Sequence, residues 1–187
     1  MNLTSPFSKE RKLSGSEKDL AMATIKPIKG NFFVKWLHSG LYDAAAQIEC
    51  DSCEQFWNVR TISRFMRDSR MGGYVISDLD YPVGYVAFES VVSNREIVIH
   101  NLVIRHDYRK QGLGTILLDR VATKIDSNKS PRPPRFLSTY VRETNLGGHL
   151  FLKKYGFQAE GVEKNYFEDT VFGDESQIED AYRFTFK

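Results

Sequence analysis

Apolar residues in this chain fall into short blocks whose spacing switches between the three-to-four-residue period of helices and the two-residue period of strands. After a short β-like start at Ile25 (ATIKPIKG), Phe33, Leu37, Leu41 and Ala45, followed by Ile48, keep helical spacing, and an amphipathic helix is predicted across FVKWLHSGLYDAAAQIECD. A shorter helix is predicted over about Asn58 to Asp68, with Val59, Ile62, Phe65 and Met66 on one side. GYVISDLD and YPVGYVAFESVVSN are β-rich runs joined by Asp78 to Pro82, and they read as an antiparallel pair. REIVIHNLVI is a third strand. It ends in the polar, glycine-bearing RHDYRKQGLG, after which Leu113, Leu117 and Val121 resume helical spacing.

The same order recurs further on. DSNKSPRPPR holds three of the six prolines and reads as an exposed connection, FLSTYV as a strand, and NLGGHLFLKKYGF as a helix opened by Asn145 and closed at Gly156. Runs around Phe157 to Phe167 and Glu179 to Phe186 alternate as terminal strands. The expected class is α+β: a mostly antiparallel sheet with two early helices and two more woven in later. Residues 1–24 are rich in Ser, Lys and Glu without a sustained period and read as a flexible tail, which leaves one domain over 25–187.

Composition narrows the partners. Lys+Arg 26 against Asp+Glu 24 gives a formal net charge of +2, too balanced for a protein that neutralises many phosphates along a nucleic acid. No apolar run is long enough for a membrane span and the N-terminus has no signal-like apolar region. Cys50 and Cys53 are the only cysteines, too few to staple a secreted fold, so a cytoplasmic location is expected. One C-x-x-C pair cannot close a structural zinc site, and no metal is expected.

The loop Arg109-Lys110-Gln111-Gly112-Leu113-Gly114-Thr115 lies between a strand and an amphipathic helix, where backbone N–H groups lack intrahelical partners and anions bind. Glycines 112 and 114 let an oxygen-rich group approach the backbone; a tight turn would use them equally well. A Walker A loop needs Gly-Lys-Ser/Thr, and here Thr115 and Ile116 follow Gly114. A Rossmann fingerprint needs a third glycine where Leu117 stands.

The remaining pattern, Arg/Gln-x-x-Gly-x-Gly/Ala, resembles the acetyl-CoA pyrophosphate loop of the GNAT N-acetyltransferases. HNLVIRHDYRKQGLGTILLDRV resembles that family's fourth strand and third helix, and YVRETNLGGHLFLKKYGF its fifth strand and fourth helix. Asn165-Tyr166-Phe167 and Glu179-Asp180-Ala181 resemble C-terminal segments of its ribosomal-protein-alanine branch. The resemblance implies the GNAT acyl-CoA N-acyltransferase fold with about four helices, and acetyl-CoA as co-substrate. By resemblance, Leu102, Val103 and Ile104 would pair with the pantetheine arm, Arg109 through Thr115 would wrap the pyrophosphate, and Asn145 and Leu152 would lie along the coenzyme.

Acetyl transfer requires a neutral amine, a donor for the developing oxyanion and an acid for the leaving thiolate. An α-amine, at ~7.7–8.0, is easier to deprotonate than a lysine side chain at ~10.4. The resembled branch offers a fifth-strand glutamate and a fourth-helix tyrosine, but those positions are Tyr140 and Leu152 here. Tyr140, His100, Glu89 and Tyr155 are therefore the catalytic candidates, with Glu143 nearby, and Trp57, Tyr140 and Tyr166 the substrate-side candidates. The acidic run Glu168 to Glu175 would attract a cationic substrate, or form a solvated loop. The expected activity is direct transfer to a primary amine, a protein or peptide N-terminus first. A small-molecule amine and a non-catalytic acyl-CoA-binding module stand as alternatives, and either a monomer or a homodimer is compatible.

Overall fold

The computed structural model describes residues 30–53, 57–125, 133–169 and 177–187. The tail, the Ile25 start, most of the proline-rich connection and nearly all of the acidic run lie outside these residues. Among the described residues, one sheet contains β1 (Phe32–Trp36), β2 (Met71–Asp78), β3 (Tyr81–Val91), β4 (Glu96–Ile104), β5 (Phe136–Arg142), β6 (Gln158–Asp169) and β7 (Gln177–Phe186). Their spatial order is β1-β2-β3-β4-β5-β7-β6. The helices are α1 (Tyr42–Ser52), α2 (Val59–Phe65), α3 (Leu113–Ala122) and α4 (Leu146–Tyr155). None of the described helices is long and apolar enough to cross a membrane.

The first predicted helix starts too early. Phe32 to Trp36 pair antiparallel with β2, from Phe32↔Asp78 to Trp36↔Tyr74, and Phe33 is 53% exposed. FFVKW is aromatic and β-branched, suited to an edge strand, and the spacing from Phe33 to Leu37 only mimics a helical turn. The true α1 begins at Tyr42 and buries Ala45 and Ile48. The second helix keeps its place but is shorter than predicted, with the Asn58 side chain accepting the Thr61 N–H at 3.0 Å.

Each face of the sheet carries a core. Ile97, Ile99, Leu137 and Val141 meet Leu113, Leu117 and Leu152 beneath α3 and α4, while Val75, Tyr85, Ala87 and Val103 meet Leu37, Ala45, Ile48 and Ile62 on the α1 and α2 side. Every neighbouring pair of strands is antiparallel except β4 and β5. A parallel pair needs a crossover, and the connection through α3 supplies it. That pair is in register only from Glu96↔Phe136 to Ile99↔Thr139. Beyond it the strands part, and β4 runs on to Ile104 and β5 to Arg142 without facing each other. On β4 the break coincides with a bulge: Ala87 pairs with Asn101 and Phe88 with Ile99, so His100 is the extra residue.

Candidate active site

Within the sheet, the fork between β4 and β5 leaves backbone of two neighbouring strands unpaired with each other. His100 and Tyr140 each follow the last paired residues, Ile99 and Thr139, and so stand on its two lips. Ile99 packs into the core under α3 and α4; alternation along β5 and the contacts of His100 direct both lip residues to the opposite face. His100 Nε2 lies 3.2 Å from Glu89 Oε2, and its ring centroid is 5.2 Å from that of Phe65 on α2. Glu89 also pairs with Arg70 at 3.0 Å. Trp57 stands 5.1 Å from Phe65, which extends the aromatic group on the β4 side. On the β5 side the Tyr140 and Tyr166 rings stack at 4.5 Å with planes 12° apart. Four of the candidates named from the sequence, His100, Glu89, Tyr140 and Tyr166, thus gather at the fork, with Trp57 behind Phe65.

At the far end of β4 the chain enters α3 through two left-handed residues, Lys110 (φ 61°) and Gly112 (φ 87°). The first helical bond runs from Ile116 N–H to the Gly112 carbonyl at 3.1 Å. The N–H groups of Leu113, Gly114 and Thr115 precede that ladder and open onto the loop, which is the arrangement that cradles a phosphate oxygen. Gly112 is at a φ that L side chains avoid. Gly114 serves packing as well: a Cβ there would stand 3.0 Å from Phe151 Cζ and 3.6 Å from Leu102 Cδ2. The site therefore fits a pyrophosphate at the loop and an extended arm along the unpaired edge of β4, the two anchors acetyl-CoA needs.

Several sequence assignments are redirected by the geometry. The Arg109 guanidinium donates to the carbonyls of Ile104 and Ser52, each at 3.0 Å, so its charge shapes the loop and ties it to the end of α1. Gln111 donates to the Asp107 carbonyl at 3.3 Å. Leu113, Val103 and Leu152 bury their side chains in the two cores, and for the first two only the backbone faces a ligand path. Tyr155 is not at the fork. It sits at the last turn of α4, donates to Asp119 of α3 at 2.8 Å and packs on Phe157 and Phe186; burial, then the Asp119 carboxylate, push its phenol upward. Asn145 caps α4 by accepting the Gly148 N–H at 2.9 Å.

One cluster near the site is centred on a residue absent from the sequence candidates, Glu49. Glu49, 1% exposed, receives hydrogen bonds from the Tyr85 hydroxyl, the Asn101 amide (2.6 Å), the Trp57 N–H (3.3 Å) and the Cys53 thiol. Burial raises the Glu49 carboxyl in spite of these donors, and burial followed by the Glu49 charge pushes Cys53 up to about 12. Asn101 lies on the unpaired part of β4, so this cluster links α1, the Trp57 segment and the fork. A helical glutamate thirty-six residues from its tyrosine partner gives no local signal.

Comparison with known proteins agrees with this geometry. Residues 34–157 match the family model described as the Acetyltransferase (GNAT) family. A protein of Bacillus subtilis (strain 168), named for ribosomal protein bS18-alanine N-acetylation, is 29% identical over 128 residues, covering 68% of this chain and 81% of its own. The ribosomal-protein-S18-alanine N-acetyltransferase from Escherichia coli superposes with a TM-score of 0.66 at 20% identity, over 83% of this chain and 92% of that one. Arabidopsis thaliana NAA60, solved with a bisubstrate analogue, gives 0.69 at 15% identity, over 83% and 97%. With the strand fork and the amide-lined loop both inside the matched residues, the chain belongs to the GNAT acetyltransferase family and is an N-acetyltransferase.

Proposed function

We propose that the chain transfers an acetyl group directly from acetyl-CoA to the α-amine of a protein or peptide N-terminus. The observation that carries this reading is the fork itself, with His100 and Tyr140 on adjacent lips of one face and the amide-lined loop at the end of the same strand. Acetyl-CoA supplies the activated thioester. The N–H groups from Leu113 to Thr115 hold its pyrophosphate, and Leu102, Val103 and Ile104 offer backbone to the pantetheine as a strand offers it to an added strand. Asn145, at the mouth of α4, meets the arm near its thiol end.

His100 is the base of this scheme. Glu89 accepts a hydrogen bond from Nε2 and fixes that tautomer, which leaves the Nδ1 lone pair for the proton of the incoming ammonium. Tyr140 presents its hydroxyl across the fork, where it donates to the developing oxyanion or the departing sulfur. Trp57 and Phe65 on one side and Tyr166 on the other flank the acceptor path. The bacterial relative named for bS18-alanine N-acetylation supports an alanine α-amine as the first acceptor to try.

The test is mass spectrometry after incubation with acetyl-CoA and a panel of peptides with free or blocked N-termini, lysine-bearing peptides, polyamines and amino acids. One acetyl group on the α-nitrogen of a free-N-terminus peptide supports the reading. Acetylation confined to small amines, or acetyl-CoA binding without transfer, would overturn it.

A further inference from the structure

We propose that Asp180 is a positioning residue for the acceptor: its carboxylate fixes a left-handed bulge at Asn165 and thereby holds Tyr166 flat against Tyr140. The inference rests on the reading that this tyrosine pair flanks the acceptor path. Between β6 and β7 the register jumps from Glu163↔Ala181 to Phe167↔Glu179. Three residues of β6, Lys164, Asn165 and Tyr166, are thus set against Asp180 alone. Asn165 adopts φ 56°, a conformation that asparagine tolerates far better than β-branched residues do. A bulge of this size takes backbone groups out of the ladder, and they need another partner.

Asp180 provides that partner. Its Oδ1 accepts the Asn165 N–H at 2.9 Å, its Oδ2 receives the Lys164 ammonium, and its backbone carbonyl accepts the Glu143 N–H at 3.1 Å. The next residue over, Glu179, does the same for the turn before α4, accepting the Thr144 N–H at 2.8 Å and pairing with Arg142 at 3.1 Å. The consequence of the bulge is the direction of one ring. Tyr166 leaves the strand to stack on Tyr140, with Phe167 edge-on to it at 4.9 Å. Lys164 is not the essential partner: its side chain is 77% exposed, and exposed ion pairs contribute little. What the bulge requires is a short side-chain oxygen opposite the Asn165 N–H.

The experiment compares Asp180→Ala, Asp180→Asn, Lys164→Ala, Asn165→Gly, Asn165→Val and Tyr166→Ala in thiol-release kinetics, with a peptide bearing a free N-terminal alanine as acceptor. Asp180→Ala, Asn165→Val and Tyr166→Ala should each raise the peptide KM about tenfold while the acetyl-CoA KM stays within about twofold. Asp180→Asn keeps an oxygen for the N–H and should restore the wild-type KM, as should Lys164→Ala and Asn165→Gly. Near-ultraviolet circular dichroism from the stacked tyrosines should fall in the first group and persist in the second. A raised KM in Tyr166→Ala with an unchanged one in Asp180→Ala and Asn165→Val overturns the positioning role alone. An unchanged KM in Tyr166→Ala removes the tyrosine pair from the acceptor path and the proposal with it. Parallel loss of both KM values and thermal stability in Asp180→Ala, with no rescue by Asp180→Asn, assigns Asp180 to general folding and also overturns it.

Discussion

Gly112→Ala is the sharpest perturbation of the coenzyme end of the site. Gly112 sits at φ 87°, immediately before the first residue of α3. Holding an L-residue there costs roughly 1–2 kcal/mol, so the variant either keeps the loop at that cost in stability or rotates to a negative φ. Rotation turns the neighbouring N–H groups away from the position they share. Loss of one hydrogen bond to a charged oxygen removes about 1.5–3 kcal/mol, which at 1.4 kcal/mol per factor of ten is roughly a 10- to 150-fold rise in Kd. Isothermal titration with CoA, alongside a thermal melt, measures both costs separately. Gly114→Ala is the control, because its Cβ meets only side-chain atoms, the ring edge of Phe151 at 3.0 Å and Leu102 Cδ2 at 3.6 Å, and Gly114 lies inside α3. Gly114→Ala should bind CoA close to wild type; Gly112→Ala with both wild-type affinity and wild-type stability would refute the strained amide cradle.

Other consequences are equally direct. His100→Gln should lower kcat/KM by about 10²–10⁴-fold while CoA affinity is retained; wild-type activity in that variant would move the base elsewhere. Tyr155→Phe, which loses only the hydroxyl bond to Asp119, should lower stability by about 0.5–1.5 kcal/mol with kcat unchanged, as denaturant unfolding and steady-state assays would show. Glu49→Ala removes the acceptor shared by the Tyr85 hydroxyl, the Asn101 amide and the Trp57 N–H, of which only Asn101 keeps a second acceptor, the Tyr85 oxygen at 3.2 Å, and should cost several kcal/mol by the same unfolding measurement. Because burial raises the Glu49 carboxyl, the folded chain holds that proton more tightly than the unfolded one. Its stabilising contribution is complete below the unfolded value near ~4.3 and is lost as pH rises through the folded value. The stability gap between wild type and Glu49→Ala should therefore narrow as pH rises from about 4 towards neutrality, and a widening gap would contradict the raised pKa.

Much of this was legible in the order of residues. The strand–loop–helix units around Gly112 and Asn145 carry their own punctuation, with glycines at left-handed turns and an asparagine cap, and local signals of that kind survive into the fold. The tyrosines at 140 and 166 were readable as site residues individually. Their stacking was not, because it depends on a bulge whose stabilising carboxylate lies fourteen residues beyond Tyr166. Phe33 misled because four-residue spacing in an aromatic, β-branched run fits either period, and pairing with β2 decided it. The resemblance puts Arg109 in the pyrophosphate loop, and what the sequence does not reveal is that its guanidinium donates to two carbonyls, one of them fifty-seven residues back. Glu49 is silent in the sequence for a similar reason: burial and four converging donors are properties of the assembled sheet and helix, and a lone glutamate in a helix has no such signature.

The central claim is that the unpaired edge of β4 and the loop entering α3 together bind the coenzyme arm and its pyrophosphate. Amide hydrogen exchange of the full chain with and without CoA, followed by mass spectrometry, tests this without any assumption about the acceptor. Peptides covering residues 101–104 and 111–115 should exchange markedly more slowly with CoA present, while the β1–β2 edge is unaffected. Unchanged exchange across β4 and the loop at saturating CoA would contradict the account.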